Sequence, residues 1–549
     1  MEKGTKRMSF REKISDYFAI EENRIKFISI VVFTAVIVLL AWQSDDAYHA
    51  YIMAKNLVDG NGFVYNVGER ASASSCPLFT LIVAFGYLII RNMFLVSLLI
   101  CVIFSTTAYS IVVNTFCHTV KQVIITFIVF VSSVSFISYT TSGLENCLLF
   151  LLAVLFLKLL LNNEVYDRKK LFIMGILISL IAMTRMDAVL MFVPAILYIY
   201  LFKRERVSFP KAVLIGFLSL LPFILWEVFS VFYYGFPFPN TAYVKLGTDI
   251  PLPEYLYRGF QYLFITTICD LPVIMVPCFA LILIIAVKDI RYISVGAGIL
   301  LYFVYIIYIG GDFMLGRHFT VMFFMSVILL LDIFDNRSIN EIKRKKYEKI
   351  YMIAVFLTVL FSCTTHVITD QFLYGNRYGS NIADERAGYF KYTSLFNNAV
   401  SYVKTGEMCI RDAWNEEGID DYRSKGITSG LLRSIPGISV YYNADMYLSD
   451  LYALGDPFLS KLPAVREDNW RIGHMWREEP EGYGESIIYG GNRLENESLK
   501  QYYDVILLIT RGDLFDKDRI KAVIDINTGK YDHLIEEYKE TLDENNRQK

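Results

Sequence analysis

Lys26–Trp42, KFISIVVFTAVIVLLAW, followed at once by Gln43-Ser44-Asp45-Asp46, decides how this chain is read. Its 17 residues carry one charge, at the first position. As a helix the run rises about 26 Å, most of a ~30 Å hydrocarbon core, so the two acids emerge at a membrane face. A carboxylate left among lipid tails costs about 2.5–3.5 kcal/mol. Catalysis is the leading reason for an acidic pair at this depth, and capping of the next helix is the plain alternative.

The rest of the chain fits a membrane protein. Of 549 residues, 54% are hydrophobic, and the mean hydropathy is +0.40, too apolar for a soluble protein of this size. The net charge of -2 hides an uneven distribution, because the charged residues crowd into the last third, beyond His366. A soluble domain is therefore expected after the membrane domain. The 8 cysteines lie singly, with no metal-knuckle or disulfide spacing. The basic run Lys343–Lys346 reads as a cytoplasmic anchor rather than a nucleic-acid patch. No small-residue cleavage site precedes Asp45, so the first apolar run reads as an uncleaved helix.

Apolar stretches fall at about 26–42, 77–90, 93–116, 121–139, 144–161, 170–184, 187–202, 211–234, 271–287, 292–309, 318–333 and 347–365. The stretch 77–90 is short, starts at Pro77 and ends at Arg91-Asn92, which suits an interfacial or re-entrant helix. About 11 spans remain. Residues 1–25 then form a cytoplasmic arm, 26–365 a membrane domain with a first external loop at 43–92, and 366–549 an extracytoplasmic domain. Basic clusters at 168–170, 203–206, 288–291 and 343–346 all fall inside, as the positive-inside tendency requires. The same topology collects the unusual polar motifs on the outer face. They are Asp45-Asp46, Ser142-Gly143-Leu144-Glu145, Arg185-Met186-Asp187, Pro239-Asn240-Thr241 with Lys245, and Gly310-Gly311-Asp312 with Arg317-His318.

Taken singly, each motif has a bland reading. Glu145, Arg185 and Asp187 sit at span ends, where charges are solvated cheaply. Asp312 and Arg317 could form a surface ion pair, and Lys245 could be a solvated loop lysine. Arg317 could equally hold an anionic head group through its planar fork, with His318 assisting. Two glycines around Asn61 mark a tight, ordered turn in the first loop. In the tail, runs such as Ile438–Tyr442 and Tyr503–Ile509 read as strands alternating with charged helices, so a small α/β domain is expected.

Several of these residues resemble the GT-C class of polyprenyl-phosphate-sugar-dependent glycosyltransferases, and within it the family of the mycobacterial terminal arabinofuranosyltransferase. The similarity runs through Asp45-Asp46-Ala47-Tyr48, Asn61-Gly62-Phe63-Val64-Tyr65-Asn66, Gly68-Glu69-Arg70 and Ser142-Gly143-Leu144-Glu145. It continues with Thr184-Arg185-Met186-Asp187, Tyr233-Tyr234-Gly235, Pro239-Asn240-Thr241 with Lys245, Gly310-Gly311-Asp312-Phe313-Met314, Gly455-Asp456-Pro457 and Arg471-Ile472-Gly473-His474. Met186 stands where the family pattern has proline, and Ser72-Ala73-Ser74-Ser75 replaces a bulkier stretch.

The resemblance implies a polytopic α-helical fold of GT-C type in a bacterial plasma membrane, with catalytic first-loop carboxylates. It further implies a polyprenyl-phosphate sugar donor, a cell-surface glycan acceptor, contact with membrane lipid, and no nucleic acid. Such a donor already carries a good leaving group, so the protein must supply a base for the acceptor hydroxyl and cations for the departing phosphate. Asp45 is the first candidate for the base, with Asp46 orienting the acceptor or a divalent metal, and the two roles are interchangeable at this stage. Arg317, Arg185 and Lys245, in that order, are the phosphate candidates, with His318 beside them. Glu145, Asp187, Asn240, Asp312 and His474 complete the expected site. The competing readings are a glycolipid transporter or flippase, and a cell-envelope assembly protein without catalysis. No internal repeat of the kind transporters carry is visible.

Overall fold

The computed structural model describes residues 19–162, 165–203, 207–335, 341–369, 382–412, 431–434, 437–442, 447–450, 452–466 and 470–548. The chain is mostly helical. The first apolar run forms α1 (Glu21–Leu39), and the acid pair turns it into α2 (Ala47–Val58). Then come α3 (Pro77–Ile90) and α4 (Met93–Phe116). Pro77 opens α3, where its missing N–H is no loss, and the Asn92 side chain caps α4 by accepting from the Leu95 N–H. The short α3 packs against α2 and α4 and leaves Phe85, Leu88 and Ile89 exposed.

Next are α5 (Val120–Ser132), α6 (Val134–Thr141), α7 (Asn146–Leu161) and α8 (Arg168–Thr184). A 3-10 turn, Asp187–Met191, leads to α9 (Val193–Tyr198). α10 (Phe209–Ser219), α11 (Leu221–Tyr234), α12 (Asn240–Leu246), α13 (Leu252–Cys269), α14 (Leu271–Val287), α15 (Ile290–Tyr308), α16 (Phe319–Asp335) and α17 (Glu341–Thr369) follow.

Among the described residues, two helices, α4 and α15, are long and apolar enough to cross a membrane unaided. Three bent pairs pass only together: α5 with α6 at 83°, α10 with α11 at 49°, and α13 with α14 at 106°. The expected 11 spans are therefore not matched. Apolar runs such as α7, of 16 residues, and α16, of 17, rise only about 24–26 Å. The run expected at 121–139 breaks at Ser133. α13, read from the sequence as part of a loop, is an amphipathic helix that bends sharply into α14 at Asp270. The two breaks meet. Asp270 Oδ2 accepts from Ser133 Oγ at 2.8 Å and from the Ser135 N–H at 2.7 Å, satisfying backbone freed by the bend.

The tail carries α18 (Glu385–Thr393), α19 (Leu395–Thr405), β1 (Leu431–Ser434), α20 (Ile438–Tyr442) and β2 (Tyr447–Asp450). It ends with α21 (Tyr483–Tyr489), α22 (Glu497–Arg511), α23 (Lys517–Asn527) and α24 (Asp532–Gln548). β1 and β2 pair in parallel, Leu431 with Tyr447 through Ser434 with Asp450. The α/β expectation is thus corrected toward helix. Tyr503–Ile509, expected as a strand, lies inside α22, whose buried Leu499, Tyr502, Tyr503, Ile506 and Ile509 follow the helical period. Ile438–Tyr442, also expected as a strand, is the short helix α20.

Among the described residues, three buried cores cut across the boundary expected at 366. The largest joins α1–α9 and α14–α17 to Ile410 and Ile438 of the tail, with Leu395 and Tyr441 packed on it. The second unites Phe236 and Val244, from the segment after α11, with α21–α24. The smallest joins Ile52, Phe63 and Tyr234 to Leu448 of the tail. The first loop is latched to the tail as well. Buried Glu69 meets Arg511 Nη2 at 3.1 Å and accepts from the Tyr447 hydroxyl at 2.7 Å.

Candidate active site

The segment leaving α1 is pinned on all sides. Trp42 Nε1 donates to the Ser138 carbonyl at 2.9 Å, Gln43 Nε2 to Phe94 O at 2.9 Å, and Ser44 N–H to Ser142 O at 2.8 Å. Tyr51 of α2 donates to Gly143 O at 2.9 Å. Gly143 stands at φ +78°, and a side chain there would strike the Tyr51 hydroxyl. The Asp45-Asp46 and Ser142–Glu145 motifs are thus built against each other.

The two acids have different surroundings. Asp45 is buried, and its Oδ1 accepts the Ile438 N–H, the first of α20, at 2.7 Å. Asp46 occupies the N-cap position of α2 but makes no side-chain capping bond, so the capping alternative fails for both acids. Asp46 is half-buried, and among the described residues it has no ion-pair or hydrogen-bond partner for its carboxylate. Gly437, at φ +147°, lets the backbone close onto Asp45, because a Cβ there would land on the carboxylate. Gly437→Ala is expected to cost about 1–3 kcal/mol, read as a lower Tm and faster proteolysis of the tail.

A buried ionic cluster lies next to the pair. Glu145 Oε1, at the start of α7, meets Arg317 Nη2 at 2.9 Å and Arg185 Nη1 at 3.4 Å. Arg185 also grips Asp187 through two contacts, Nε–Oδ1 at 2.9 Å and Nη2–Oδ2 at 2.6 Å. His318 Nδ1 lies 3.0 Å from the Tyr302 hydroxyl and 3.2 Å from Arg185 Nη2, while its Nε2 is 3.3 Å from Asp312 Oδ2. Gly310 and Gly311, at φ +84° and +80°, make the turn that presents Asp312, and Gly311 abuts Tyr262 too closely for any Cβ. Burial acts on the Asp312 carboxyl, but the His318, Arg317 and Lys245 charges outweigh it and hold the group well below the usual range.

The tail completes this site. Ala383 pairs with the loop at 313–315, its N–H donating to Phe313 O at 2.8 Å while Leu315 N–H donates to Ala383 O at 3.0 Å. Two residues on, Glu385 is buried with Oε1 3.5 Å from Arg471 Nη2. The Arg471 guanidinium lies 4.3 Å from the Phe313 ring centroid, and the His474 ring stands edge-on to the same ring at 4.5 Å. Lys245, in the last turn of α12, runs past Gly473. Arg477 ties α12 to this loop, donating to Val244 O at 3.1 Å and Leu462 O at 2.9 Å. Asn240 is buried at the start of α12, its N–H donating to Ser72 O at 2.9 Å and its Nδ2 without a partner.

Every residue expected from the sequence therefore gathers around one region of the molecule, with Asn240 at its edge. Glu385 and Tyr302 were not foreseen, and Arg471 was quoted only within a motif. The acidic start of α18 reads from sequence as an ordinary helix cap, which Asp384 indeed supplies to the Ala387 N–H at 3.1 Å. Comparison with family models, with curated proteins and with solved structures returns no match. Among the described residues no group of three or more His, Cys, Asp and Glu is arranged to hold a metal ion. With Asp45 Oδ1 engaged by Ile438, the pair offers a cation Asp45 Oδ2 and the Asp46 carboxylate, fewer oxygens than the roughly six to eight that calcium takes. Two surface clefts, of about 270 and 480 Å³, are lined by α22 and α23 residues and by α11 and α23 residues, and neither touches the acid pair.

Burial pushes the Asp45 carboxyl up to about 7, against the Ile438 N–H and with help from the Asp46 charge. Burial likewise takes Glu385 up to about 8, the Asp46 charge adding and Arg471 opposing. Asp450 and Asp456, both buried in the tail, stand at about 7. Groups raised in this way hold their protons when folded at pH values where the unfolded chain has lost them. Folding therefore takes up protons at these carboxyls up to about pH 8. Buried His49, His318 and His474, which burial holds below the usual imidazole range, release protons and oppose the trend at the acid end. Stability thus falls with rising pH above the ordinary histidine range. A Tm higher by ~2–4 °C at about pH 7 than at about pH 8.5 is expected, and a flat or rising profile over that interval would contradict these burials.

Proposed function

We propose that this chain is a multi-pass membrane glycosyltransferase of GT-C type. It moves a sugar, such as the pentose arabinofuranose, from a polyprenyl-phosphate donor to a cell-surface glycan. The N-terminus is cytoplasmic, the apolar helices lie in the plasma membrane, and the site and tail are extracytoplasmic.

The observation that carries the reading is the state of Asp46. It is an unpartnered carboxylate at the mouth of a buried polar site, within electrostatic reach of Arg317, Glu385 and His474. Asp46 is half-buried and keeps access to solvent, whereas every other acid in this cluster is tied to a partner. A free one suits the task of taking a proton from an incoming hydroxyl.

In the proposed reaction the acceptor oxygen attacks the anomeric carbon, the bond from that carbon to the phosphate oxygen breaks, and the acceptor proton passes to Asp46. Prenyl phosphate leaves with the bonding pair, so no strong general acid is needed. Attack opposite the phosphate inverts the anomeric centre. Asp45, held by the tail backbone, positions the tail over the site. The charged groups cluster around one region and are tied to loops, an arrangement that favours an enzyme over a transport path.

Membranes carrying the protein, incubated with radiolabelled polyprenyl-phosphate sugars, should move label into glycan. Absence of transfer from every such donor would overturn the assignment. A cysteine placed at the exposed tail residue Lys517 should react with a membrane-impermeant reagent on intact cells, and reaction only after lysis would reverse the topology.

A further inference from the structure

We infer that Lys245 and Arg471 form the seat of the donor's phosphate group, an assignment that rests on the transferase reading above. It replaces the expectation that Arg317 and Arg185 hold that group. Those two arginines are already spent on carboxylates. Arg317 binds Glu145 and points Nη1 at Met314 Sδ, 3.3 Å away, and Arg185 is shared by Asp187 and Glu145. With Asp312 added, two guanidiniums face three buried carboxylates, so the cluster has no positive excess even with His318 protonated. A phosphate entering it would meet no net positive charge.

Lys245 and Arg471 differ from that pair. Lys245 is exposed, and among the described residues it has no ion-pair partner. Its charge still reaches Asp312, Asp187 and His474, which places it over the cluster's rim. Arg471 has one carboxylate near it, Glu385, at the long distance of 3.5 Å; its Nε is buried with no hydrogen-bond partner, as is that of Arg317, so the difference lies in the longer carboxylate contact. Glu385 keeps its proton at neutral pH, because burial takes it up to about 8, and so leaves the Arg471 charge uncompensated. The guanidinium lies over the Phe313 ring, and apart from the long Nη2 contact to Glu385 its remaining N–H groups have no partner among the described residues. Both cations border the same short loop, since Lys245 Cε runs beside Gly473, two residues after Arg471. Gly473 is at φ +77°, a conformation that turns the loop and keeps this space clear. Two adjacent cations with open donors beside an apolar ring suit a phosphate ester, whose oxygens accept charge-assisted bonds.

The test uses the full chain in lipid nanodiscs, with farnesyl phosphate, farnesol and inorganic phosphate as probes. Farnesyl phosphate should bind more tightly than farnesol, and K245A and R471A should each weaken it about 10-fold with farnesol unchanged. R471K, which keeps the charge but loses the fork, should fall between R471A and wild type. Inorganic phosphate weakened by the same substitutions would support the seat with free phosphate as its source. Equal binding of farnesyl phosphate by wild type and K245A would overturn it, and K245A alters only an exposed side chain, so misfolding does not cloud that result. The two claims fail separately. Transfer by wild type with an unchanged donor KM in K245A and R471A removes the seat and leaves the transferase. Phosphate binding that these substitutions abolish, with no transfer by wild type, removes the transferase and leaves the seat.

Discussion

Asp46→Asn is expected to lower kcat for sugar transfer about 10²–10⁴-fold, while Asp45→Asn retains most of the activity. The contrast follows from what each carboxylate touches. Asp45 accepts one backbone N–H, from Ile438, and an asparagine Oδ1 accepts the same bond in the same place. Asp46 binds nothing among the described residues, so its amide analogue disturbs no contact and removes only the capacity to take a proton. Asp45→Ala behaves differently again. It strands the Ile438 N–H in a buried position at about 1–3 kcal/mol and loosens α20, so activity falls together with Tm. Parallel kcat and Tm measurements on the three variants separate the roles. Equal kcat losses in Asp45→Asn and Asp46→Asn would defeat the division of labour.

Glu145→Gln should cost about 3–5 kcal/mol of stability, the largest stability effect expected of any single substitution in the site. Among the described residues Glu145 is the one carboxylate that touches both Arg317 and Arg185; it is buried and the two arginines are largely so. Its neutral analogue leaves two guanidiniums facing each other, with Asp187 on Arg185 and the more distant Asp312, shared with His318, to balance them. The double variant Glu145→Gln with Arg317→Gln should recover part of the loss, because it removes the stranded charge along with its partner. Thermal unfolding of both single variants and the double measures the coupling. Additive losses would mean that the three groups do not act as a unit.

The sequence made the helical segments legible where apolar runs were long, as at Met93–Phe116, because an unbroken run of that length has one compact solution. It concealed the breaks. Nothing local at Ser133 announces that Asp270, from a distant segment, will bind the exposed backbone of a bent helix. α13 escaped notice because its Glu254 and Arg258 depress local hydropathy, although its buried Gly259, Tyr262, Ile265 and Thr266 keep a helical spacing. In the tail, Tyr503–Ile509 has the β-branched and aromatic content of a strand, and only packing against α24 and α23 made it a helix.

The site was more legible than the fold. Polar residues flanking apolar runs stand out against their surroundings, and the topology argument had already placed them on one face. Their pairing was not legible, since it depends on distances between segments far apart in sequence. Arg317 looked like a free cation and is bound by Glu145, whereas Lys245 looked incidental and is the unpaired one. Glu385 gave no signal because its position depends on Ala383 pairing with the loop at 313–315.

The central claim is that Asp46 drives displacement of prenyl phosphate by an acceptor hydroxyl. Its most direct measurement is the release of prenyl phosphate from a polyprenyl-phosphate pentose by purified protein in nanodiscs, with and without a glycan acceptor. Release should require the acceptor, match the sugar transferred mole for mole, and vanish in Asp46→Asn. Release that ignores the acceptor, or that persists in Asp46→Asn at the wild-type rate, would contradict the account.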